Sequence, residues 1–215
     1  VTNATMYVFA ITLLSLLAAE VIEWRMSTTE KKRNGFWKFT DMSEHIQIIN
    51  TPNTDTERFL RRLVSEIQRT PEFEDSPIQL LTRKFPKGLP GSLTDLKLLH
   101  RTGSAEDGVV INEINLDQAE HIIVLARDAN DSLSDSVTFD ILSRVKQINP
   151  NANIVAEVVV DENRERFLSL GANSVVRPIR AYPEMIVRAL SNPGTERVLE
   201  NLFEAHGDSI HRIDC

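Results

Sequence analysis

The chain has 215 residues, 41% of them hydrophobic, and 24 basic against 31 acidic side chains give a net charge of -7. This holds one ordinary domain with a full core plus extra segments, excludes a disordered composition, and argues against a general nucleic-acid binder, whose affinity comes from clustered Lys and Arg. The single cysteine, Cys215, excludes an internal disulfide framework or multi-cysteine zinc site and fits a reducing compartment.

The sequence starts at Val1 and stops after an apparent strand, so it reads as a piece of something longer. Met6 to Ala19, "MYVFAITLLSLLAA", carries no charge, and the uncharged stretch reaches back to Val1, giving 19 residues before Glu20. That is close to the roughly 20 needed to cross a hydrocarbon core, so residues 1–24 are expected to form a transmembrane helix. Charges after it are mostly basic (Arg25, Lys31, Lys32, Arg33, Lys38), with Trp24, Phe36 and Trp37 among them. Such a flank predicts a cell-membrane protein whose chain after about residue 25 lies in the cytoplasm.

Residues 25–44 read as a polar connector, and from His45 the pattern becomes regular. "HIQII" (45–49), "PIQLLTR" (77–83), "LKLLHRTG" (96–103), "HIIVLARD" (121–128), "NIVAEVVV" (153–160) and "NSVVRP" (173–178) are apolar strand candidates. Between them, "TERFLRRLVSEIQ" (56–68), "DSVTFDILSRVKQI" (135–148) and "ENRERFLSL" (162–170) have helical spacing, and Thr54 or Asp55 is a plausible N-cap. Alternation of this kind predicts an α/β fold: a doubly wound, mainly parallel, Rossmann-like sheet over 45–191, with helices on both faces. Residues 192–215 are expected to hold a connecting helix and the start of a further subdomain.

Ligands of such sheets sit beyond the carboxyl ends of the strands where the order reverses, so the loops beginning at Asn50, Thr82, Gly103 and Asp128 are the candidate site. A dinucleotide turn uses glycines to bring pyrophosphate onto backbone amides; here Asn50, Thr51, Pro52, Asn53, Thr54 and Asp55 stand instead. Pro52 lacks an amide donor and Asp55 brings negative charge, so ordinary NAD binding is not expected, while Asn50, Thr51 and Asn53 could hydrogen-bond another nucleotide. The second strand ends Thr82-Arg83 rather than in an acid; Arg83 is either a phosphate contact or a solvated charge. The five histidines show no HxxxH or HExxH spacing and no GxSxG elbow occurs, so metal catalysis and hydrolase chemistry have no anchor.

"HIQIINTP", "GSAEDGVVINEINLDQAEHIIVLARD", "NPNANIVAEVVVDENRERFLSLGANSVVRP" and "NPG" before a final helix, in that order, resemble the regulator-of-potassium-conductance (RCK) domain of ion channels over about residues 45–205. The resemblance implies a cytoplasmic ligand-sensing gating domain rather than an enzyme, joined to the inner pore helix of a tetrameric potassium channel and assembled into an octameric ring. Its partners would be further copies of the chain, the membrane and potassium ions, with no nucleic acid. It also implies a cleft position at Gly103 and Ser104. Calcium-gated members carry acids near the fourth strand end and on alternate residues of the fifth. Here Asp128 and Glu157 fit, the alternate residue is Val159, and Asp161 would have to replace it for a Ca2+ site. The gating ligand is left as a nucleotide or Ca2+. In the family the helix at "PEMIVRAL" (183–190) crosses to a paired subunit. Two other classes are a membrane-anchored nucleotide-dependent oxidoreductase and a regulatory subunit of a potassium transporter.

Overall fold

The computed structural model describes residues 2–39 and 41–177. The expected helix at 183–190 and the segment 192–215 lie outside the described residues.

Six strands form one parallel sheet in the order β3-β2-β1-β4-β5-β6. They are β1 His45–Ile49, β2 Ile78–Thr82, β3 Leu99–Thr102, β4 Ala119–Val124, β5 Asn153–Glu157 and β6 Ser174–Val176. The crossovers run through α2 Thr56–Arg69, the short α3 Gly91–Thr94 and α4 Gly108–Ile111, α5 Leu133–Ile148 and α6 Arg164–Ser169. This is the predicted doubly wound sheet; α3 and α4, one turn each, carry too little periodicity to be read from sequence.

Side chains alternate between the faces of a strand, and the core divides accordingly. Ile49, Leu81, Ile122, Val124 and Ile154 pack on one side with Ile141, Leu142 and Val145 of α5. Ile46, Ile48, Ile78 and Leu80 pack on the other with Leu60, Val64 and Ile67 of α2. Every residue of β1 is buried, as a central parallel strand requires. A Leu60→Ala change in this layer costs about 2–5 kcal/mol, because the lost side chain leaves a cavity.

The N-terminal segment is a single helix, α1 Thr2–Arg33, so the first part of the connector expected over 25–44 is helical. Among the described residues no helix is long and apolar enough to cross a membrane. The span expected over residues 1–24 is therefore not shown among the described residues. The strongly apolar part, Met6 to Ala19, is 14 residues. At a rise of 1.5 Å each it covers about 21 Å of a core about 30 Å thick, and Glu20 and Glu23 follow on the same helix.

Candidate functional site

The strand order reverses beside β1, which pairs with β2 on one flank and β4 on the other. The chain leaves β1 towards α2 on one face and β4 towards α5 on the opposite face, opening a crevice beyond the strand ends. A cleft of about 210 Å3 lies there, lined by Asn50, Thr51, Asn53, Thr82, Arg83, Lys84 and Arg127. Five of the residues singled out from sequence thus converge. A wider hollow of about 520 Å3 at Asp55 to Arg58 and Arg61 is lined by neighbouring, mostly exposed residues of one helix end, too open to fix a ligand.

The turn after β1 takes a different solution from a glycine-rich cradle. Asn50 adopts the left-handed conformation (φ 68°) that glycine would supply and that asparagine tolerates better than most side chains. Its Nδ2 donates to Leu125 O at 3.5 Å and its Oδ1 accepts from Arg127 Nε at 3.3 Å, tying β1 to the end of β4. Thr51 and Thr82 share a hydroxyl hydrogen bond of 3.1 Å. The Asn53 amide is already used, donating to Arg127 O at 2.8 Å, and Pro52 has none to offer. Three cationic side chains, Arg83, Lys84 and Arg127, line the cleft instead.

Those cations are unequal. Arg127 Nη2 donates to Ser104 Oγ at 3.1 Å and to Glu106 Oε2 at 2.5 Å, and Ser104 Oγ donates to the same carboxylate at 2.7 Å. The hydrogen bond from Arg127, then that from Ser104, holds the Glu106 carboxyl below its ordinary range against an opposing effect of burial. The charges of Arg127 and Arg83 act in the same direction as the hydrogen bonds. Glu106 thus stays ionised and balances Arg127, while Arg83 and Lys84 stand exposed at the rim. Lys84 Nζ reaches Asn53 O at 3.3 Å.

Gly103 turns the chain from β3 towards this site. At φ 152° it donates its amide to Thr82 O at 3.1 Å, and an added Cβ would lie 2.6 Å from Val110 Cγ1, so the close approach of α4 requires glycine.

The acids of the calcium reading are spread out and otherwise engaged. Asp128 Oδ1 accepts from Asn130 N at 2.8 Å, closing its own turn. Glu157 Oε2 accepts from Ala126 N at 2.9 Å, and burial pushes its carboxyl up despite that hydrogen bond. Asp161 Oδ1 accepts from Arg164 Nε at 3.3 Å. Among the described residues no group of three or more His, Cys, Asp or Glu is placed to hold a metal ion. Among the described residues Asp135, not singled out from sequence, is a further buried and engaged acid. Its Oδ1 accepts from Val159 N at 2.7 Å, and its Oδ2 from Val160 N at 3.0 Å and Asn163 Nδ2 at 2.8 Å. These bonds fix the loop after β5.

Sequence reasoning also missed Lys84, Glu106 and Arg127. Arg127 lies in the loop just past the β4 end at Val124, beside Asp128, and its position was the available signal; Glu106 had none short of its partner.

Residues 91–178 match the TrkA-N domain family. The calcium-gated potassium channel TvoK of Thermoplasma volcanium is 27% identical over 105 residues, covering 46% of this chain and 30% of that channel. Among solved structures, the TrkA-N domain of the Escherichia coli inner membrane protein ybaL aligns with a TM-score of 0.52 at 16% identity, covering 70% of this chain and 99% of that one. The GsuK channel bound to ADP aligns at 0.53 and 18%, covering 75% and 39%. The human SLO3 gating ring aligns at 0.56 and 14%, covering 76% and 34%. At such identities the structural likeness establishes the fold.

Proposed function

With a TrkA-N domain of the RCK type in this chain, we propose that it is the ligand-sensing gating domain of a potassium channel, turning occupancy of the cleft into a change in the hold on α1. The observation that carries this reading is the cleft of Asn50, Thr51, Asn53, Thr82, Arg83, Lys84 and Arg127 at the sheet switch point, in a chain whose apolar N-terminal helix ends against the same sheet. The chain's work is conformational rather than catalytic, which requires a ligand that binds one state better than the other.

The ligand is a nucleotide, held by its phosphates at Arg83, Lys84 and Arg127, with Asn50, Asn53 and the two threonines offering hydrogen bonds. ADP suits the cleft better than NAD, because its free terminal phosphate carries more charge for Arg83, Lys84 and Arg127 than the doubly esterified diphosphate of NAD, and Pro52 and the engaged Asn53 amide offer no backbone donor in their place. GsuK has been solved with each.

On α1, Ile11, Leu13, Leu14, Leu16 and Leu17 are all exposed, and at about 100° per residue they spread over more than half of the helix circumference. So wide an apolar surface needs a cover. Its cover is the membrane together with the same helix of other copies, in a tetrameric channel beneath which the domains form a ring. The basic residues after it keep the sheet domain in the cytoplasm.

A thermal-shift series of the full chain with ADP, ATP, AMP, NAD and Ca2+ tests the ligand. A nucleotide at a hundred times its Kd adds about 2.7 kcal/mol to stability. A shift with Ca2+ alone would replace the nucleotide reading, and no shift with any would remove the sensing role. Failure of the detergent-solubilised chain to enter lipid vesicles would overturn the role given to α1.

A further inference from the structure

The end of α1 is clamped to β3 rather than hanging as a free tether. Gly35 O accepts from Thr102 N at 2.7 Å and from Arg101 Nη1 at 2.9 Å, and Asn34 O accepts from Thr102 Oγ1 at 2.8 Å. Arg101 is itself buried, and its Nη2 pairs with Glu113. Gly35 is buried at φ 74°, where an added Cβ would lie 2.6 Å from His100 Nδ1, and the Arg33 carbonyl abuts Gly88 just as closely. Displacement of α1 therefore loads β3 directly.

The same strand runs straight into the cleft. After Thr102, Gly103 is bonded to the end of β2, Ser104 accepts from Arg127, and Glu106 pairs with it. We propose that Arg101 to Glu106 is the element that couples the cleft to α1, with Arg101 and Thr102 gripping Asn34 and Gly35 at one end and Ser104 and Glu106 holding Arg127 at the other. The inference rests on the gating reading above. Its switch is the choice of partner for Arg127, since a guanidinium fork that satisfies a carboxylate also satisfies a phosphate. An anion drawing Arg127 from Glu106 releases the cleft end of the segment and alters the grip on Gly35. By linkage, the grip on Gly35 alters anion affinity by the same factor.

Hydrogen exchange on the full chain reads the coupling at the Thr102 amide, whose acceptor is Gly35 O, and in the segment 33–39. Arg127→Ala and Glu106→Gln, neither of which touches α1, should each change exchange there by about fivefold or more, and ADP should change it in the wild type. Unchanged exchange in folded Glu106→Gln and Arg127→Ala chains overturns the coupling even if ADP binds. Should Arg127→Ala fail to fold, the near-isosteric Glu106→Gln decides alone. If ADP does not bind but the variants still shift exchange at Thr102, the coupling stands and the nucleotide reading falls.

Discussion

Arg127 and Glu106, 21 residues apart in sequence, face each other at the cleft with Arg127 Nη2 2.5 Å from Glu106 Oε2. The pair balances the charge of Arg127 and leaves Arg83 and Lys84 as exposed cations at the rim of the cleft. The cleft is thus locally basic in a chain whose total charge is acidic.

Glu106→Gln should lower stability at neutral pH by no more than about 1 kcal/mol, since both side chains are roughly one third exposed and solvent screens them. The Glu106 carboxyl titrates below its ordinary 4.5 in the folded chain, so its contribution is complete above that pH and fades as pH falls through the lower folded value. Urea unfolding at pH 7 and again well below 4.5 should show the difference between variant and wild type closing. A gap that widens in acid would contradict the pairing.

Removing a rim cation separates binding from folding. Arg83→Ala or Lys84→Ala should weaken ADP about fivefold, the worth of one exposed charge-assisted contact, while leaving stability within about 0.5 kcal/mol. Calorimetric titration beside a thermal melt checks both, and full-strength ADP binding by the double variant would place the phosphates elsewhere.

The sheet was legible because the strands are short apolar runs, buried throughout in β1 and β2, and α2 and α5 are long enough for their 3.6-residue period to show. Topology then points to the loops beyond the strand ends, which is why Asn50, Thr51, Asn53, Thr82 and Arg83 meet in one cleft. Pairings between distant residues were not legible. Nothing local to Glu106 signals Arg127, and nothing local to Asp135 signals the amides of Val159 and Val160. For the N-terminal segment the uncharged run marked an apolar helix, α1, without fixing what length of it is apolar enough to span.

Asp135 should be among the most sensitive polar positions. It is 3% exposed and accepts from three N–H donors, so Asp135→Ala leaves buried amides without partners and should cost about 3–5 kcal/mol. Asp135→Asn keeps the shape but turns an NH2 towards donors and should lose nearly as much. Chemical denaturation measures both, and a loss under about 1 kcal/mol would mean that the loop after β5 is held by something else.

Gly35→Ala should destabilise the joint between α1 and β3 by about 1–3 kcal/mol, because its left-handed φ and the nearby His100 ring and Thr102 hydroxyl both resist a methyl group. The loss should be local. Faster exchange at the Thr102 amide with little change in the β1–β4 pairing is the expected pattern, whereas protection lost evenly across the sheet would show Gly35 to be part of the global core.

Acid sensitivity should arise at the same joint. Burial, with a smaller push from Arg101, lowers the His100 pKa to about 4 despite an opposing backbone hydrogen bond at Thr82, while the unfolded chain titrates near 6.5. Between these values the unfolded state binds a proton that the folded state refuses, so stability falls as pH drops through that window, at up to about 1.4 kcal/mol per unit. Burial lowers His45 as well, so the two histidines act together. His100→Phe keeps a ring against Phe85, whose centroid lies 6.2 Å away, and removes one of the titrating groups. Urea midpoints measured from pH 7 down to 4 should therefore fall less steeply for His100→Phe than for wild type, and an identical slope would show that His100 gains its proton without cost in the folded chain.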